Sequence, residues 1–467
     1  MEERRVRIDS ITINNVKCVK CGSIEFNAIK PLRREASSIK GVYGQNGSGK
    51  TVVVEVIAIL KAILSGKQVS NRYLESISFG EKFSRLEAVF SVVENEGTDY
   101  TVTYRCDLER RKNPNDSYGA SDSRKRNIPN SIIAVTSESI KVTGWLGGVR
   151  YPAQFIAHTD ELQQLIQPKN KCILLFGDDD AALMKLNHDK ILALYGSRSF
   201  IFSDQATEAI EKNCAHVFGG VISTLKSFAR YRLFVVGGET QSETPLPINF
   251  INKNKGTEVQ GQILFSLEGK TNMPKSIITV FESFMVPLNL VLSSMIPGLQ
   301  IVYNSQKLLL DDNNDEYEVE LFSARDPNNI FPLRHESLGI KKIVSFLSLL
   351  IATYNDPGFV LVVDEFDSSV FEFLLGELIS IMKTSGRGQL IFTSHNLRPL
   401  EKLDDASICF TTTDPENRYV RLKKKATNNL RDVYFRVLSL GSDDYELYSS
   451  ESKNALAYAL RQAGGVE

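Results

Sequence analysis

Hydrophobic and polar residues follow one spacing near the ends of the chain and another in its middle. In the first hundred residues they alternate, which predicts β-strands. A short apolar run leads into a glycine-rich segment, and a helical pattern then continues to about Leu64. The predicted strands of this part are residues 7–13, 21–26, 38–43, 85–93 and 99–107. The polar segment 110–130, with its prolines and many charges, predicts an exposed loop.

Between about residues 160 and 292 the apolar residues recur at helical spacing, with irregular connections between the runs. The predicted helices here are residues 159–165, 179–195, 205–231 and 274–292. The stretch 235–255 contains many Gly, Ser and Thr residues, which is typical of a loop. This part is therefore expected to be mainly helical.

Strand patterns return after residue 298, and they alternate with helical ones. The predicted order is strands at 299–304 and 316–322, a helix at 341–354, a buried strand at 359–363, a helix at 370–384 and a strand at 389–393. This alternation is typical of an α/β sheet. We predict an α/β fold with a mixed sheet, in which residues 1–155 and 299–467 form two lobes and residues 156–298 a helical insertion. The sequence contains no sustained heptad pattern, so we do not expect a coiled-coil arm.

Charge and hydropathy narrow the possible surroundings of the protein. The 467 residues include 55 Lys and Arg against 56 Asp and Glu, a net charge of −1, so nothing attracts the whole chain to nucleic acid or anionic membranes. Basic clusters at 110–112, 124–126 and 421–425 favour solvated loops unless they converge in space. No signal sequence and no apolar stretch of about 18 residues is found, so we expect a cytoplasmic protein without membrane contact.

The six cysteines include one closely spaced pair, Cys18 and Cys21. A zinc site would need two more ligands nearby, and the sequence has no second such pair. Because alternating runs flank the pair, a β-hairpin is the simpler interpretation.

The strongest chemical motif is the segment 44–51, Gly-Gln-Asn-Gly-Ser-Gly-Lys-Thr, between a predicted strand and a predicted helix. In this context, glycines allow backbone N–H groups and the helix N-terminus to surround phosphates. Lys50 would add a charge at the β- and γ-phosphates, and the Thr51 hydroxyl suits Mg²⁺. The alternative is a glycine-rich turn that merely opens a helix. The predicted nucleotide-binding residues are Gly44, Asn46, Gly47, Ser48, Gly49, Lys50 and Thr51.

Two further motifs follow buried strands. Asp364 and Glu365 end the apolar run 359–363, where Asp364 suits the Mg²⁺ shell and Glu365 could polarise an attacking water. His395 follows the strand 389–393, thirty residues after Glu365, and could donate a hydrogen bond to a γ-phosphate. The alternatives are carboxylates that cap the next helix and a purely structural histidine.

A fourth motif, Ser337-Leu338-Gly339-Ile340-Lys341-Lys342, precedes a predicted helix. Ser337 is a suitable N-cap, and Gly339 leaves the backbone accessible, so an anion could bind at this helix start. By itself the segment is explained equally well as a helix cap.

Together the four motifs resemble the ABC ATPase heads of the RecF, SMC and OLD-type group over roughly residues 1–110 and 299–430. Residues 44–51 resemble Walker A, 360–365 Walker B, His395 the switch histidine and 337–342 the signature S-x-G-x-x-[KR]. The resemblance implies ATP and Mg²⁺ as cofactors, Thr51 and Asp364 as metal ligands, and Glu365 and His395 as catalytic residues. It also implies a homodimer or higher homo-oligomer, in which Ser337 and Gly339 of one subunit complete the ATP site of another.

Two family features are not clearly matched. Gln154, Gln163 and Gln164 are weak candidates for the Q-loop glutamine, and the D-loop region 367–371 lacks the usual late aspartate. The acidic run 178–180 predicts a helix cap rather than a nuclease metal site.

The chain also resembles the stand-alone ATPases of bacterial anti-phage systems of the Septu, retron-linked and PARIS types. This implies an ATPase that senses a trigger and regulates a separately encoded nuclease or toxin. One alternative is a RecF- or SMC-like repair or replication ATPase that clamps DNA. Another is a nucleotide-dependent scaffold, against which the candidate base Glu365 argues.

Overall fold

The computed structural model of the protein describes most of the chain. The described residues are 5–26, 37–78, 80–94, 98–113, 131–162, 165–213, 217–237, 246–254, 257–266, 270–308, 316–326, 329–368, 370–422, 429–440, 446–447 and 453–463. Several parts of the chain named in the sequence analysis lie wholly or mostly outside these ranges: the predicted loop 110–130, Gln163 and Gln164, and the basic runs 124–126 and 423–425.

The described part contains strands and helices throughout its length. The strands are β1 (Arg5–Val16), β2 (Val19–Glu25), β3 (Ser38–Tyr43), β4 (Ser84–Val93), β5 (Asp99–Lys112), β6 (Ser131–Leu146), β7 (Val149–Asp160), β8 (Leu233–Val236), β9 (Leu246–Asn254), β10 (Thr257–Phe265), β11 (Thr271–Pro274), β12 (Gln300–Lys307), β13 (Glu316–Asp326), β14 (Asn329–Pro332), β15 (Val360–Val363), β16 (Gln389–Thr393), β17 (Ile408–Thr411) and β18 (Tyr419–Val420). The helices are α1 (Lys50–Leu64), α2 (Lys169–Phe176), α3 (Asp180–Tyr195), α4 (Asp204–Asn213), α5 (Val217–Tyr231), α6 (Lys275–Met295), α7 (Leu338–Asn355), α8 (Glu372–Ser385), α9 (Pro399–Lys402), α10 (Leu430–Leu440) and α11 (Lys453–Ala463).

One large sheet is antiparallel, with the strand order β2-β1-β4-β5-β6-β7. Its strands alternate buried and partly exposed residues, as β5 does along most of its length, so one face packs on the core. Cys18 and Cys21 lie in the hairpin of β1 and β2, as predicted. The described residues hold no group of three or more His, Cys, Asp or Glu that could bind a metal.

The second large sheet has the order β18-β17-β3-β16-β15-β8 and is parallel from β17 to β8. Every residue of β15 is buried, because both faces of this sheet are covered. Val360 and Val362 belong to a hydrophobic cluster shared with the antiparallel sheet and α1, whereas Leu361 and Val363 belong to a second cluster with α6, α7 and α8. The carboxyl ends of β3, β15 and β16 therefore meet at one edge.

The predicted α/β class with mixed strand directions is confirmed. The strand at 389–393 has the predicted bounds, and the helices 179–195, 274–292, 341–354 and 370–384 correspond to α3, α6, α7 and α8. The helices α2 to α5 contribute to the first cluster and α6 to the second. The bounds of the insertion and of the two lobes stay a prediction.

Several local predictions were wrong. The described residues of the helix predicted at 159–165 are not helical, because β7 continues to Asp160 in register with β6 and a turn follows at 161–162. The expected loop 235–255 contains the end of β8 and all of β9, and the helix expected at 205–231 is two helices, α4 and α5. The long strands β6 and β7 were not predicted.

Two helices, α6 and α7, are long and apolar enough to cross a membrane by length and composition, contrary to the expectation that no stretch would be. More than half of the apolar window of α7 is buried, which is typical of a core helix, and α6 packs on the same cluster through Phe281 and Leu288. The expected cytoplasmic location and absence of membrane contact stay predictions.

Candidate nucleotide site

The phosphate-binding loop, residues 44–51 (the P-loop), connects β3 to α1 as predicted. Gly49 is the N-cap of α1 with φ 98°, a left-handed conformation that only glycine adopts without strain. Lys50 is buried, and its Nζ donates to the carbonyl oxygens of Gly44 at 2.9 Å and Gln45 at 2.8 Å. Its ammonium therefore lies over the loop. Asn46 and Gly47 are exposed at the tip of the loop, where a phosphate could approach the backbone.

Residues 363 and 370 positions further along the chain support the P-loop. The Ser48 hydroxyl is hydrogen-bonded to the Thr411 hydroxyl at the end of β17, and Tyr419 Oη of β18 donates to Gly49 O at 3.0 Å. A methyl group on Gly44 would overlap the Thr411 hydroxyl, so only glycine fits between the two strands. The loop conformation thus depends on the C-terminal part of the chain.

The metal-ligand candidates Thr51 and Asp364 lie next to each other. Thr51 Oγ1 is 3.5 Å from Asp364 Oδ1, and Thr393 Oγ1 of β16 donates to the same carboxylate oxygen at 2.5 Å. Asp364 is buried at the end of β15, whereas Thr51 is exposed at the start of α1. A hydroxyl and a carboxylate are hard oxygen ligands of the kind Mg²⁺ prefers, so this donor set fits the ion.

Glu365 combines a fixed backbone with an exposed side chain. Its φ is 46°, an uncommon conformation for a residue other than glycine. Thr393 Oγ1 accepts a hydrogen bond from Glu365 N at 2.7 Å, and Lys342 Nζ donates to Glu365 O. Strained backbone held from both sides is found at functional sites. This arrangement directs the Glu365 carboxylate away from the core and into solvent.

Asp367 joins the end of β15 to the loop that carries His395. Its Oδ2 accepts hydrogen bonds from His395 N at 3.0 Å and from Asn396 N at 2.9 Å. The His395 side chain is exposed beside this anchored backbone. The backbone of His395 is therefore held by a carboxylate only two residues after Glu365, in the D-loop region 367–371. The glycine-rich motif is far from these residues in sequence, but the strand that leads into it, β3, pairs with β16, so the motif lies near them in the fold.

The signature-like segment behaves as a helix cap and also reaches the Walker B strand. Ser337 is the N-cap of α7, and its hydroxyl accepts from Ile340 N at 3.3 Å. Ser337 is exposed and Gly339 is buried. One turn further, Lys342 is buried against the carbonyl of Glu365, and burial lowers the pKa of Lys342 to about 8 despite the nearby carboxylates of Asp367, Glu365 and Asp364. The helix thus connects an exposed serine to the Glu365 backbone.

The same three carboxylates influence the P-loop lysine. Burial lowers the pKa of Lys50, and Asp364, Glu365 and Asp367 oppose this effect. All the predicted residues of Walker A, Walker B and the switch thus lie around the carboxyl ends of β3, β15 and β16. Thr393 and Thr411 were not among the sequence candidates, and Asp367 was considered only as part of the D-loop region 367–371. The signal for Asp367 was its position two residues after Glu365.

The weaker sequence candidates lie elsewhere. Gln154 is on β7, where its side chain accepts a hydrogen bond from Lys171 at 3.0 Å. Among the described members of the basic clusters, Arg111 pairs with Glu109 and Glu161, and Arg421 pairs with Asp405. Such paired side chains are less available for phosphate contacts.

The fold and this site define a P-loop nucleotide-binding protein of the α/β class. Residues 10–213 match the family model of the AAA domain, a span that includes the P-loop but less than half of the chain. No curated protein matches the sequence.

Several solved structures align with the protein over most of its length. A Pyrococcus furiosus Smc head domain bound to the C-terminal domain of ScpA is 12% identical, with 94% of this chain and 100% of that chain covered and a TM-score of 0.39. An SMC head domain from Thermotoga maritima is 13% identical over 90% and 100% of the two chains, with a TM-score of 0.36. The ATP-bound recombination mediator RecF is 12% identical over the same shares, with a TM-score of 0.34. Resemblance this distant does not assign a function.

Proposed function

We propose that the protein is an ABC-type ATPase of the RecF and SMC group that hydrolyses ATP. The observation that carries the proposal is the meeting of the P-loop, the Asp364–Glu365 pair and the His395 loop at one sheet edge, with Thr51 Oγ1 3.5 Å from Asp364. The AAA domain match to residues 10–213 also supports it. A phosphate-binding loop alone would serve a kinase equally well. The exposed glutamate and the anchored switch loop favour hydrolysis.

Each residue has a defined part in this reaction. The backbone N–H groups of residues 46–51 and the Lys50 ammonium bind the phosphates. Thr51 and Asp364 would hold Mg²⁺, which would neutralise charge on the phosphates when bound. Glu365 orients a water for attack on the γ-phosphate, and His395 donates a hydrogen bond to the same group. Thr393 and Asp367 are positioning residues, because they hold the backbone and carboxylates of these groups.

Ser337 is proposed to act on the ATP site of a second copy of the chain. Its exposed position at the positive end of α7 suits a γ-phosphate presented from outside, whereas Lys342 on the same helix is buried against its own Glu365. Gly339, which the sequence assigns to the same site, is buried, so its part in phosphate binding stays a prediction. The resulting homodimer would hold ATP between subunits.

The biological role proposed within this class is regulation of a separately encoded effector in anti-phage defence. It is supported by the resemblance of the motifs to the stand-alone ATPases of such systems. The competing role is a DNA clamp of the RecF or SMC type. Among the described basic residues, Arg111 and Arg421 are engaged in ion pairs, which makes these two side chains less available to a phosphate backbone.

ATP hydrolysis by the wild type and by Glu365→Gln, with and without double-stranded DNA, tests the enzymatic proposal. Loss of turnover in Glu365→Gln with no effect of DNA is the expected result. Stimulation of several-fold by DNA would favour the clamp. Equal turnover in both chains would overturn the role of Glu365, and ATP binding without turnover in the wild type would favour a scaffold.

The dimer proposal is tested by mixing two inactive variants. Ser337→Asp keeps a good N-cap for α7 but places a negative charge against the phosphate, and Lys50→Ala removes the P-loop cation. If Ser337 acts on the other subunit, mixing restores partial turnover. One ATP site of each mixed dimer then combines Lys50 from one subunit with Ser337 from the other. If it acts within one chain, the mixture stays inactive. Ser70→Asp, another exposed N-cap serine, is the matched control and should hydrolyse ATP normally.

Co-purification from the native host tests the regulatory role. A second protein that binds the wild type and is released or activated when ATP turns over would support the proposal. A chain that purifies without any stoichiometric partner would count against it.

A further inference from the structure

A cavity of about 250 Å³ lies between the antiparallel sheet and α3. Its wall is formed by β6, by the end of β7, by α3 and by residues 198–200. None of the wall residues belongs to the P-loop, to Walker B or to the His395 loop. Ligand pockets for drug-sized molecules have volumes of roughly 300–1,000 Å³, so this cavity suits a smaller molecule.

One side of the wall is a buried carboxylate, Glu138, that is held in place by several donors. Tyr104 Oη and Ser199 Oγ donate to its Oε1 at 2.8 and 2.6 Å, and Phe200 N donates to Oε2 at 2.9 Å. Burial raises the pKa of Glu138, and these donors oppose the rise. The wall is therefore rigid at this point, because the same bonds fix the segment 199–201.

Other parts of the wall carry charges of both signs. Lys190 Nζ of α3 donates to Asp160 O at 2.5 Å, and Arg198 is exposed at the rim. Glu161 is paired with Arg111, whose Nη2 donates to its Oε2 at 2.6 Å. The wall thus holds three carboxylates, Glu138, Asp160 and Glu161, and two cations, Lys190 and Arg198, while Arg111 pairs with Glu161 from outside the wall. A ligand in the cavity would meet groups of both signs.

The remaining wall combines apolar and hydroxyl groups. Val135, Leu194 and Phe200 supply apolar surface, and Thr159 is 97% removed from solvent with a hydroxyl that has no hydrogen-bond partner. A buried polar group without a partner costs free energy, about 1–3 kcal/mol in proteins. The Thr159 hydroxyl is therefore a polar group in the cavity wall with which a bound molecule could form a hydrogen bond.

We propose that this cavity binds a small zwitterionic amino-carboxylate, a free amino acid or a dipeptide, with an apolar side chain. Its carboxylate would lie towards Lys190 and Arg198, its ammonium towards Asp160, and its side chain on Leu194 and Phe200. A nucleotide fits less well, because its two or more negative charges would meet three carboxylates in a cavity of this size. An uncharged apolar ligand would displace water from the charged wall groups without replacing the hydrogen bonds that the water makes.

Ligand-detected NMR on the full chain, without nucleotide, tests the proposal. The zwitterionic probes are leucine, phenylalanine and the dipeptide Gly-Leu. The half-ligands isoamylamine and 4-methylpentanoate each carry one of the two charges, and inorganic phosphate probes simple anion binding. At least one zwitterion should bind. Each half-ligand should bind at least about tenfold more weakly, which is the loss of affinity expected for one charged hydrogen bond.

Two wall variants and one control locate the site. Lys190→Met removes a cation, and Ile191→Trp fills the mouth of the cavity from a half-exposed position on α3. Both should abolish binding of the zwitterion, whereas Lys185→Met, an exposed lysine of the same helix outside the wall, should keep it. If Lys190→Met fails to fold by circular dichroism, Ile191→Trp decides.

Three results would overturn the proposal: no binding of any zwitterion at millimolar concentration, equal binding of a half-ligand or of phosphate, or unchanged binding in the folded wall variants. These readouts do not depend on ATP turnover, so the proposal can fail while the ATPase assignment holds.

Discussion

Replacing Thr393 by valine should slow ATP hydrolysis and weaken the dependence on Mg²⁺. The Thr393 hydroxyl donates to Asp364 Oδ1 at 2.5 Å and accepts from Glu365 N at 2.7 Å, so one buried group positions both Walker B residues. Valine keeps the shape and removes both bonds. Loss of a partner that orients a metal ligand typically costs about 10–100-fold in metal affinity or activity. That range corresponds to about 1.4–2.7 kcal/mol, close to the contribution of one hydrogen bond to a charged group.

The assay is steady-state ATP hydrolysis as a function of Mg²⁺ concentration. We expect a lower kcat and a higher half-saturating Mg²⁺ concentration for Thr393→Val, with much of both restored in Thr393→Ser. Thr353→Val is the matched control, because Thr353 is also a fully buried threonine but donates only to Leu349 O within α7. If Thr393→Val kept wild-type values, or if Thr353→Val fell as far, the positioning role of the Thr393 hydroxyl would be refuted.

Three other changes give distinct readouts. Burial lowers the pKa of Lys342 from 10.5 to about 8, so between these pH values the unfolded chain binds more protons than the folded chain. The Tm of the wild type should therefore rise relative to that of Lys342→Met as the pH increases from 8 to 10.5. A Tm difference that stays constant over this range would contradict the prediction. Gly44→Ala should lower Tm by displacing the Thr411 hydroxyl, and adding Thr411→Ala should recover part of the loss in thermal unfolding. Asp367→Asn should reduce kcat about tenfold with little change in ATP affinity, because an uncharged amide oxygen is a weaker acceptor for the backbone of the His395 loop. An unchanged kcat would exclude a positioning role for the Asp367 carboxylate.

The sequence predicted those parts of the site in which each motif lies next to its own strand or helix. Residues 44–51 combine glycine, lysine and threonine at a spacing that serves one purpose, so the strand before and the helix after them followed directly. The continuous apolar run before Asp364 likewise indicated a strand buried on both faces, which β15 is. The roles of these residues in catalysis stay a proposal.

Where prediction failed, pairing with distant residues determined the structure. Residues 159–165 have helical spacing, yet β7 extends to Asp160 because Ser137 and Glu138 of β6 pair with it. The short strand β8 was not predicted, since its four residues are stabilised by parallel pairing with β15, more than one hundred positions away. The support of the P-loop by Thr411 could not be predicted for the same reason.

The contact between Lys342 and the Glu365 carbonyl has a consequence for how two ATP sites would communicate. Within one chain, α7 begins at the exposed Ser337 and, one turn later, buries Lys342 against the carbonyl of Glu365. A helix is stiff over one turn, so a displacement of its exposed start by a phosphate of a second subunit would be transmitted to the Glu365 backbone. That backbone is already in an uncommon conformation, which a small shift of Lys342 could change. The same helix that completes one site would thereby adjust the candidate base of the other. On this argument, the two sites of a dimer would hydrolyse ATP in a coupled manner, and Lys342 would be the residue that couples them.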